Sequence, residues 1–373
     1  MRADAQAHRK AVKHLAPACF RAFSCAAGSC PDSCCRAGWE ILPDEETLAR
    51  YQTLPGEVGA RVRAGILPGA EPLLRQDADR VCVLLDPDGL CCVQRQFGHE
   101  ALCRVCRDYP RFRREFGGLT EHGVSLSCPT AYALAVSAPP AWEEWEDAAP
   151  PVPNELDAER YLRLRRGRAL ALNLLARAEV PLGRRLMLVW RLAVRMQNAP
   201  ETLATHDYGL LLRRWETAPA RTSAGRSRLR ASRAEGSRGQ NWQWAKTFAE
   251  LEILSPAWKA ALERFLALAE ADALPDGLLH TAYPEVYARW LWYSLYKYWL
   301  DALDDGNLRG RVERSLCMTL LGLAMDRALP GQAPFLRRLS REIEHCEENL
   351  TALLTPVFPP IVLKNFLCAV DKP

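Results

Sequence analysis

Several features are missing from this chain, and each absence excludes something. No apolar run reaches the ~18 residues of a membrane-spanning helix, because Arg, Glu or Pro interrupts every one. The opening Met-Arg-Ala-Asp-Ala-Gln-Ala-His-Arg-Lys has no apolar core of a signal peptide. A soluble, cytoplasmic protein is therefore expected, in a compartment that keeps thiols reduced. Charge of one sign is scarce: 49 basic against 45 acidic residues leave a formal +4, so nothing global calls for nucleic acid or a membrane surface. There is no Gly-rich strand-to-helix turn of the dinucleotide-binding type.

What the chain has instead is cysteine. Eleven of fourteen lie between Cys19 and Cys128, densest in Phe23-Ser-Cys25-Ala-Ala-Gly-Ser-Cys30-Pro-Asp-Ser-Cys34-Cys35-Arg-Ala-Gly38-Trp39. Thiolates separated by Gly, Ser and Pro can turn toward one point without regular structure, as zinc or an iron–sulfur cluster requires. Cys82, Cys91-Cys92, Cys103-x-x-Cys106 and Cys128 follow. A disulfide framework belongs to short secreted chains, not to one of 373 residues with this opening. Buried structural cysteines would not crowd one third of a chain. A redox dithiol at Cys103-x-x-Cys106 lacks a surrounding thioredoxin-like pattern. Metal ligation accounts for the crowding best.

Along the first third, Asp44 is placed to cap a short helix through Tyr51, and Pro and Gly at 55–69 suggest loop. Val81 to Gln94, apolar on either side of Asp86-Pro-Asp-Gly89, reads as a hairpin that brings Cys82 near Cys91. A helix is expected over Phe97 to Cys106, a turn at Gly117-Gly118, and a strand over Val124 to Cys128. The Pro-rich stretch 138–154 reads as a linker between a domain at 1–137 and another at 155–373.

Beyond it the period becomes helical. Leu162, Ala169, Leu172 and Leu175 make one stripe, and Leu186, Val189, Trp190, Ala193 and Met196 a second. Arg163, Arg165, Arg166, Arg168, Arg184, Arg185, Arg191 and Arg195 read as the solvated faces of these helices. The segment 221–240 carries six arginines with no apolar period and reads as a disordered basic insertion; without an aromatic to stack on a base, it argues against a nucleic-acid arm. The aromatic helix from Val286 to Leu300 and the helix from Arg311 to Ala328 read as buried. In a helix from about 339, Arg341, His345 and Asn349 fall at i, i+4 and i+8 beside a stripe of Ile343, Cys346, Leu350 and Leu353. The expected fold is mainly α: a small, irregular, Cys-rich, metal-bound α+β N-terminal domain followed by an all-helical domain.

The motif around Cys25–Trp39, with Asp86-Pro-Asp-Gly-Leu-Cys91, Cys106-Arg-Asp-Tyr-Pro-Arg111 and Leu126-Ser-Cys-Pro129, resembles the flagellin lysine-N-methylase family. The same layout is similar, more loosely, to a broad group of zinc- or iron-chelating cysteine-cluster proteins. Arg341-Glu-Ile-Glu-His345-Cys-Glu-Glu-Asn349-Leu resembles a second family signature, in which Ser is more usual than Cys346. The resemblance implies eight metal-ligating cysteines: Cys25, Cys30, Cys34, Cys35, Cys82, Cys91, Cys106 and Cys128, leaving Cys19, Cys92 and Cys103 as extras. Neighbouring side chains diverge, so Cys34 and Cys35 either feed two centres or divide between ligation and packing. It further implies a [4Fe-4S] cluster, with zinc as the alternative metal, and methyl transfer from S-adenosylmethionine to lysines of flagellin. The C-x3-C-x2-C of radical S-adenosylmethionine enzymes is absent. Glu344, His345, Glu348 and Asn349, with Asp108 and Tyr109 beside Cys106, are the candidates to position or deprotonate the amine. The alternative is a non-enzymatic iron- or zinc-binding protein.

Overall fold

The computed structural model describes residues 12–147, 157–199, 209–210, 240–275, 277–332, 334–355 and 360–370. The basic insertion expected at 221–240 lies, but for its last residue, outside them. The described chain falls into two compact units: residues up to Leu134 with those from Pro140 to Asp147, and Ala135–Pro139 with those from Asp157 on.

The first unit contains a four-stranded mixed sheet of β1 (Val12–Pro17), β4 (Arg111–Phe116), β5 (Leu119–Val124) and β6 (Trp142–Asp147), in the order β4-β5-β1-β6, and a separate antiparallel pair, β2 (Ile66–Leu67) and β3 (Leu73–Leu74). The Gly117-Gly118 turn is present, Gly117 at φ +62°, and it joins β4 to β5 as an antiparallel hairpin. β1 runs parallel to β5 and antiparallel to β6. The expected linker at 138–154 is thus corrected: Trp142-Glu-Glu-Trp-Glu-Asp147 is a sheet strand. Its acidic side chains meet basic ones, with Glu143 3.1 Å from Arg21 and Glu146 3.9 Å from Lys13. The Arg21 guanidinium lies 4.4 Å over the Trp145 ring.

A second core lies among the cysteine-bearing loops. Tyr51, Val62, Leu74, Leu84, Val93, Ala101 and Leu102 are buried there with Cys82, Cys92 and Cys103. Asp44 caps the helix Glu45–Thr53 as expected, accepting from the Thr47 N–H at 3.0 Å. The loop expected at 55–69 is instead largely a helix, Gly56–Ala64, which packs Val62 into this core. Its Arg61 donates to the carbonyls of Val83 and Leu85 and pairs with Asp86 at 2.6 Å, bracing the Pro-Asp-Gly turn from behind. The expected hairpin is reduced to that turn and single bridges, Gln76 to Cys82 and Leu85 to Cys91. The helix expected over Phe97 to Cys106 is broken into Cys92–Phe97, a 3₁₀ turn His99–Ala101, and Arg104–Asp108. Gly98, at φ +83°, ends the first piece. The strand expected over Val124 to Cys128 ends at Val124, because Ser125 turns its N–H to the Pro110 carbonyl.

The second unit holds only helices among the described residues. Leu308–Ala328 is its centre: almost every side chain from Leu308 to Met325 is buried, and it packs against Leu182–Asn198, Pro284–Tyr298 and Phe335–Ile343. Ala158–Leu175 packs against Leu182–Asn198 and Pro284–Tyr298. The aromatic helix is buried as expected, with Trp290 fully enclosed. Two of the eight arginines read as solvated are not. Arg168 donates to the Tyr296 carbonyl at 3.1 Å, and Arg185, 1 % exposed, pairs with Glu285 at 2.5 Å and donates to the Leu175 carbonyl. Helical period alone does not separate an interior arginine from an exterior one, since its partner sits on another element.

One feature of the sheet makes stability respond to pH. His14 Nδ1 lies 2.9 Å from His122 Nε2, and His14 Nε2 lies 2.9 Å from the Asp147 carboxylate. Burial, His14 and Arg113 push the His122 pKa down to about 4. An unfolded His takes its proton near 6.5, so between that pH and about 4 the unfolded chain binds more protons and stability falls as pH falls. His122→Gln is expected to flatten this part of the stability–pH curve, measured by denaturant unfolding at stepped pH.

Candidate functional site

The cysteine-rich run is shaped by two 3₁₀ turns, Ala27–Ser29 and Cys34–Arg36. The first is closed by the Ala27 N–H donating to Cys25 Sγ at 3.4 Å and the Cys30 N–H to the Ala27 carbonyl. The second starts with the Cys35 N–H on Ser33 Oγ at 3.3 Å. On that turn Cys34 is exposed and Cys35 packs against the buried core of Cys82, Cys92 and Cys103, the two thiols remaining within reach of each other. Cys91 and Cys106 pack against the same core. The Cys82 N–H donates to the Cys35 carbonyl at 2.9 Å, which ties the two segments by backbone. Cys25, Cys30, Cys34 and Cys128 lie outside that core.

Cys34 is raised by its hydrogen bond with Cys35, by burial, and then by Cys35, Cys25 and Cys128 as charges; Cys128 is raised by burial, with Cys30 and Cys25 adding to it. Cys82 is pushed up to about 12 by burial, with Cys35, Cys91 and Cys103 adding to it. Three thiol pairs each share a proton unequally. Hydrogen bonds from Cys34, Cys92 and Cys106 lower Cys35, Cys91 (to about 6) and Cys103 respectively. The thiolate is the ligand form, and these three thiolate-prone sulfurs all belong to the inner core. The thirteen cysteines placed by the structure are all free thiols.

As a donor set, these residues suit a thiophilic metal in kind: thiols only, and unbridged. As they stand, no three His, Cys, Asp or Glu side chains among the described residues are arranged to hold an ion. Cys103, read from the sequence as an extra, belongs to the inner group with the implied ligands. Its spacing from Cys106 was the visible signal. Cys92 shares the core but feels Arg61 and Asp86 as well as Cys91, and Cys19 sits apart on the helix Cys19–Ala22.

Of the catalytic candidates, Asp108 ends the helix Arg104–Asp108 at the surface, 3.8 Å from Arg107. The Tyr109 hydroxyl lies 3.0 Å from Ser127 Oγ, and its ring meets Trp39 edge-on at 5.1 Å. The other four are on the helical unit, where the single helix from 339 is corrected. Phe335–Ile343 ends, and a new helix, Glu347–Ala352, starts with Cys346 as its cap. Arg341, His345 and Asn349 therefore do not share one helical flank. Cys346 Sγ accepts the Asn349 N–H at 3.4 Å, at a cap position where a Ser hydroxyl would accept more strongly.

Asn349 is buried and stitches backbone together: Oδ1 accepts from the Glu252 N–H, and Nδ2 donates to the carbonyls of Glu252 and Glu342. Glu348 is exposed and accepts from Cys346 Sγ. Glu344 is buried against Lys297 at 2.6 Å. Burial opposes its charge, but the Lys297 ammonium prevails and holds the carboxyl below its ordinary range. Arg314 and Tyr298 complete this cluster, the guanidinium 4.4 Å over the Tyr298 ring. His345 stands at the surface, its pKa held at about 4 by surrounding protein and by Lys297.

No protein-family model matches the chain, and no solved structure does. A stretch of 143 residues is 29% identical to the flagellar biosynthetic protein FliU of Salmonella muenchen, spanning 35% of this chain and 82% of that protein. Stretches of 140 residues are 28% identical to the lysine-N-methylases of Salmonella typhimurium and Salmonella choleraesuis. The chain is related to the lysine-N-methylases. The match spans 35% of this chain and 34% of each methylase.

Within residues 341–350, Asn349 and Cys346 support the backbone. Asn349→Ala would strand the Glu252 amide and carbonyl and is expected to cost about 2–3 kcal/mol. Cys346→Ser should gain about 0.5–1 kcal/mol through a better cap. Urea unfolding of both variants checks the signs.

Proposed function

We propose that this protein is a protein-lysine N-methyltransferase acting on flagellin, with a cysteine-ligated iron–sulfur cluster in its first unit. The relationship to two lysine-N-methylases, together with the match to a flagellar biosynthetic protein, carries the reading. The thiol-only donor set supports the metal part of it.

S-adenosylmethionine, when bound, would supply a methyl group already activated on a sulfonium. The chain's own task is then the lysine amine. Its pKa of ~10.4 lies about 3 units above neutral pH, so presenting the neutral form costs about 5 kcal/mol. A desolvating surface or a positioned acceptor offsets that cost, and aligning the nitrogen lowers the barrier further. Among the candidates of the helical unit, His345 suits the second role. It is at the surface and stays neutral at neutral pH, so a ring nitrogen can accept from an amine N–H. Glu344 and Lys297 act behind it as a locked ion pair that fixes the local charge, and Asn349 and Cys346 hold the segment's shape. Asp108 and Tyr109 belong to the cysteine-bearing unit, where Tyr109 is anchored on Ser127.

The rival reading, a non-enzymatic metal-binding protein, draws on Asn349 and Glu344 being committed to internal partners. The assay that separates them uses protein isolated without oxygen, unmethylated flagellin and S-adenosylmethionine, read by peptide mass spectrometry. One-methyl increments on flagellin lysines are expected, and His345→Gln should slow their formation about tenfold to a hundredfold with unchanged melting. Metal-loaded protein that leaves every lysine unmodified would return the chain to the rival reading.

A further inference from the structure

A cavity of about 270 Å³ lies in the helical unit where three segments meet: the helix Ala158–Leu175, the C-terminal end of Leu182–Asn198, and the Gly306 turn between Ala302–Asp305 and Leu308–Ala328. No residue given a role in the function proposed above lines it. We propose that it binds a small organic anion. The guanidiniums of Arg160 and Arg163 hold its carboxylate or phosphate group, and the walls of Leu164, Met196 and Leu308 take a short apolar body. The proposal goes beyond methyl transfer and does not depend on it.

The first argument is charge without a counter-charge. Arg160 and Arg163 are three apart on one helix, and both line the cavity. Each is fastened by a backbone carbonyl: Arg160 Nη2 donates to Ala302 at 2.8 Å, and Arg163 Nη1 to Met196 at 3.2 Å. No acidic side chain is among the described residues of the lining. Asp157 is turned to the Arg160 backbone N–H as the helix cap, and Glu159 and Asp304 are exposed and do not line the cavity. Arg309 and Arg311, on the neighbouring helix, carry their own carboxylates, Glu313 at 2.7 Å and Asp305 at 2.6 Å. Two fixed cations in a concave wall without a carboxylate favour an anion.

The second argument is unused donor capacity. A guanidinium carries five N–H donors in a rigid fork, and the bonds to Ala302 and Met196 occupy one amino group of each side chain. Arg163 Nε is buried and meets no acceptor among the described residues. A buried donor left in that state is costly, and an oxyanion bound beside it supplies the acceptor.

The third argument is a wall already fixed in shape. Leu164, Met196, Ala302 and Leu308 are buried in the packing of the unit. Gln197 pins two of the segments together: its Nε2 donates to the Gly306 carbonyl at 2.9 Å, and its Oε1 accepts from the Arg309 N–H at 3.1 Å. Gly306 sits at φ +76°, and a Cβ there would lie 3.1 Å from Arg160 Nη2, so glycine keeps that guanidinium uncrowded. The volume falls just below the ~300–1,000 Å³ of pockets for drug-sized ligands, which suits a small molecule. S-adenosylmethionine matches the site poorly, because its sulfonium is itself a cation beside two guanidiniums.

The test is binding to the full chain at low ionic strength, by titration calorimetry with inorganic phosphate, butanoate, butyl phosphate and S-adenosylmethionine. Butyl phosphate should bind about tenfold tighter than inorganic phosphate, through its apolar body. Saturation by either butyl anion supports the site, and the tighter of the two identifies the head group as carboxylate or phosphate. Arg160→Gln and Arg163→Gln should each weaken binding about tenfold, and Arg195→Gln, at an exposed arginine outside the lining, should leave it unchanged. Because Arg160 and Arg163 also brace backbone carbonyls, their variants can lose stability. Hydrogen exchange of the unmodified protein with and without butyl phosphate is therefore the second measurement, with slowing expected in 158–164, 196–199 and 302–308. No saturable binding of either butyl anion, slowing confined to other segments, or unchanged affinity in folded Arg160→Gln and Arg163→Gln would overturn the site. Inorganic phosphate binding as tightly as butyl phosphate would overturn the apolar body, and S-adenosylmethionine binding there more tightly than both butyl anions would overturn the anion class. None of these readouts uses methyl transfer, so the methylase reading stands or falls separately.

Discussion

The small core formed by Tyr51, Val62, Leu84, Val93 and Leu102 with three buried cysteines is the constraint on which the cysteine-bearing unit depends. It must be assembled from short pieces, since no helix around it exceeds nine residues and its β-structure is a two-residue pair and single bridges. Segments that short do not hold themselves together; tertiary contacts must. Here those contacts come from Arg61, spread over the 83–86 turn, from the Tyr51 hydroxyl, and from the cysteines themselves. As thiols they pack like small apolar residues. As thiolates they would repel one another, and a cation among them would offset that repulsion.

The helical unit solves a different problem. Its central helix, Leu308–Ala328, has no polar face to give to water, so helices from before and after it in the chain enclose it. Enclosure traps charge as well: Arg168, Arg185, Arg314, Lys297 and Glu344 are interior or nearly so, and each has a carboxylate, a carbonyl or a ring as a partner. Such pairs add little net stability but are costly to break singly, so they restrict which arrangements of these helices are tolerated. The 341–350 signature hangs on this framework through Glu344, Asn349 and Cys346. Glu344, Asn349 and Cys346 thus serve shape, while His345, Glu347 and Glu348 face solvent.

The sequence by itself determined the cysteine crowding, the Asp44 cap, the glycine turn before β5, and the buried aromatic and Leu308–Ala328 helices. Each is a local pattern whose physical cause lies within a few residues: a side chain reaching its own helix's N–H, a glycine at positive φ, an apolar period. Tertiary structure alone decided which thiols share a neighbourhood, that 142–147 is a strand, that Arg168 and Arg185 face inward, and that the signature helix breaks at Cys346. Those outcomes depend on partners far away in the chain: Lys13 and Arg21 for β6, Glu285 for Arg185, Glu252 for Asn349. A periodicity read along one segment carries no information about a partner on another, which is why the cysteine spacing pointed to metal while only the fold packed Cys35 against the core of Cys82 and Cys103.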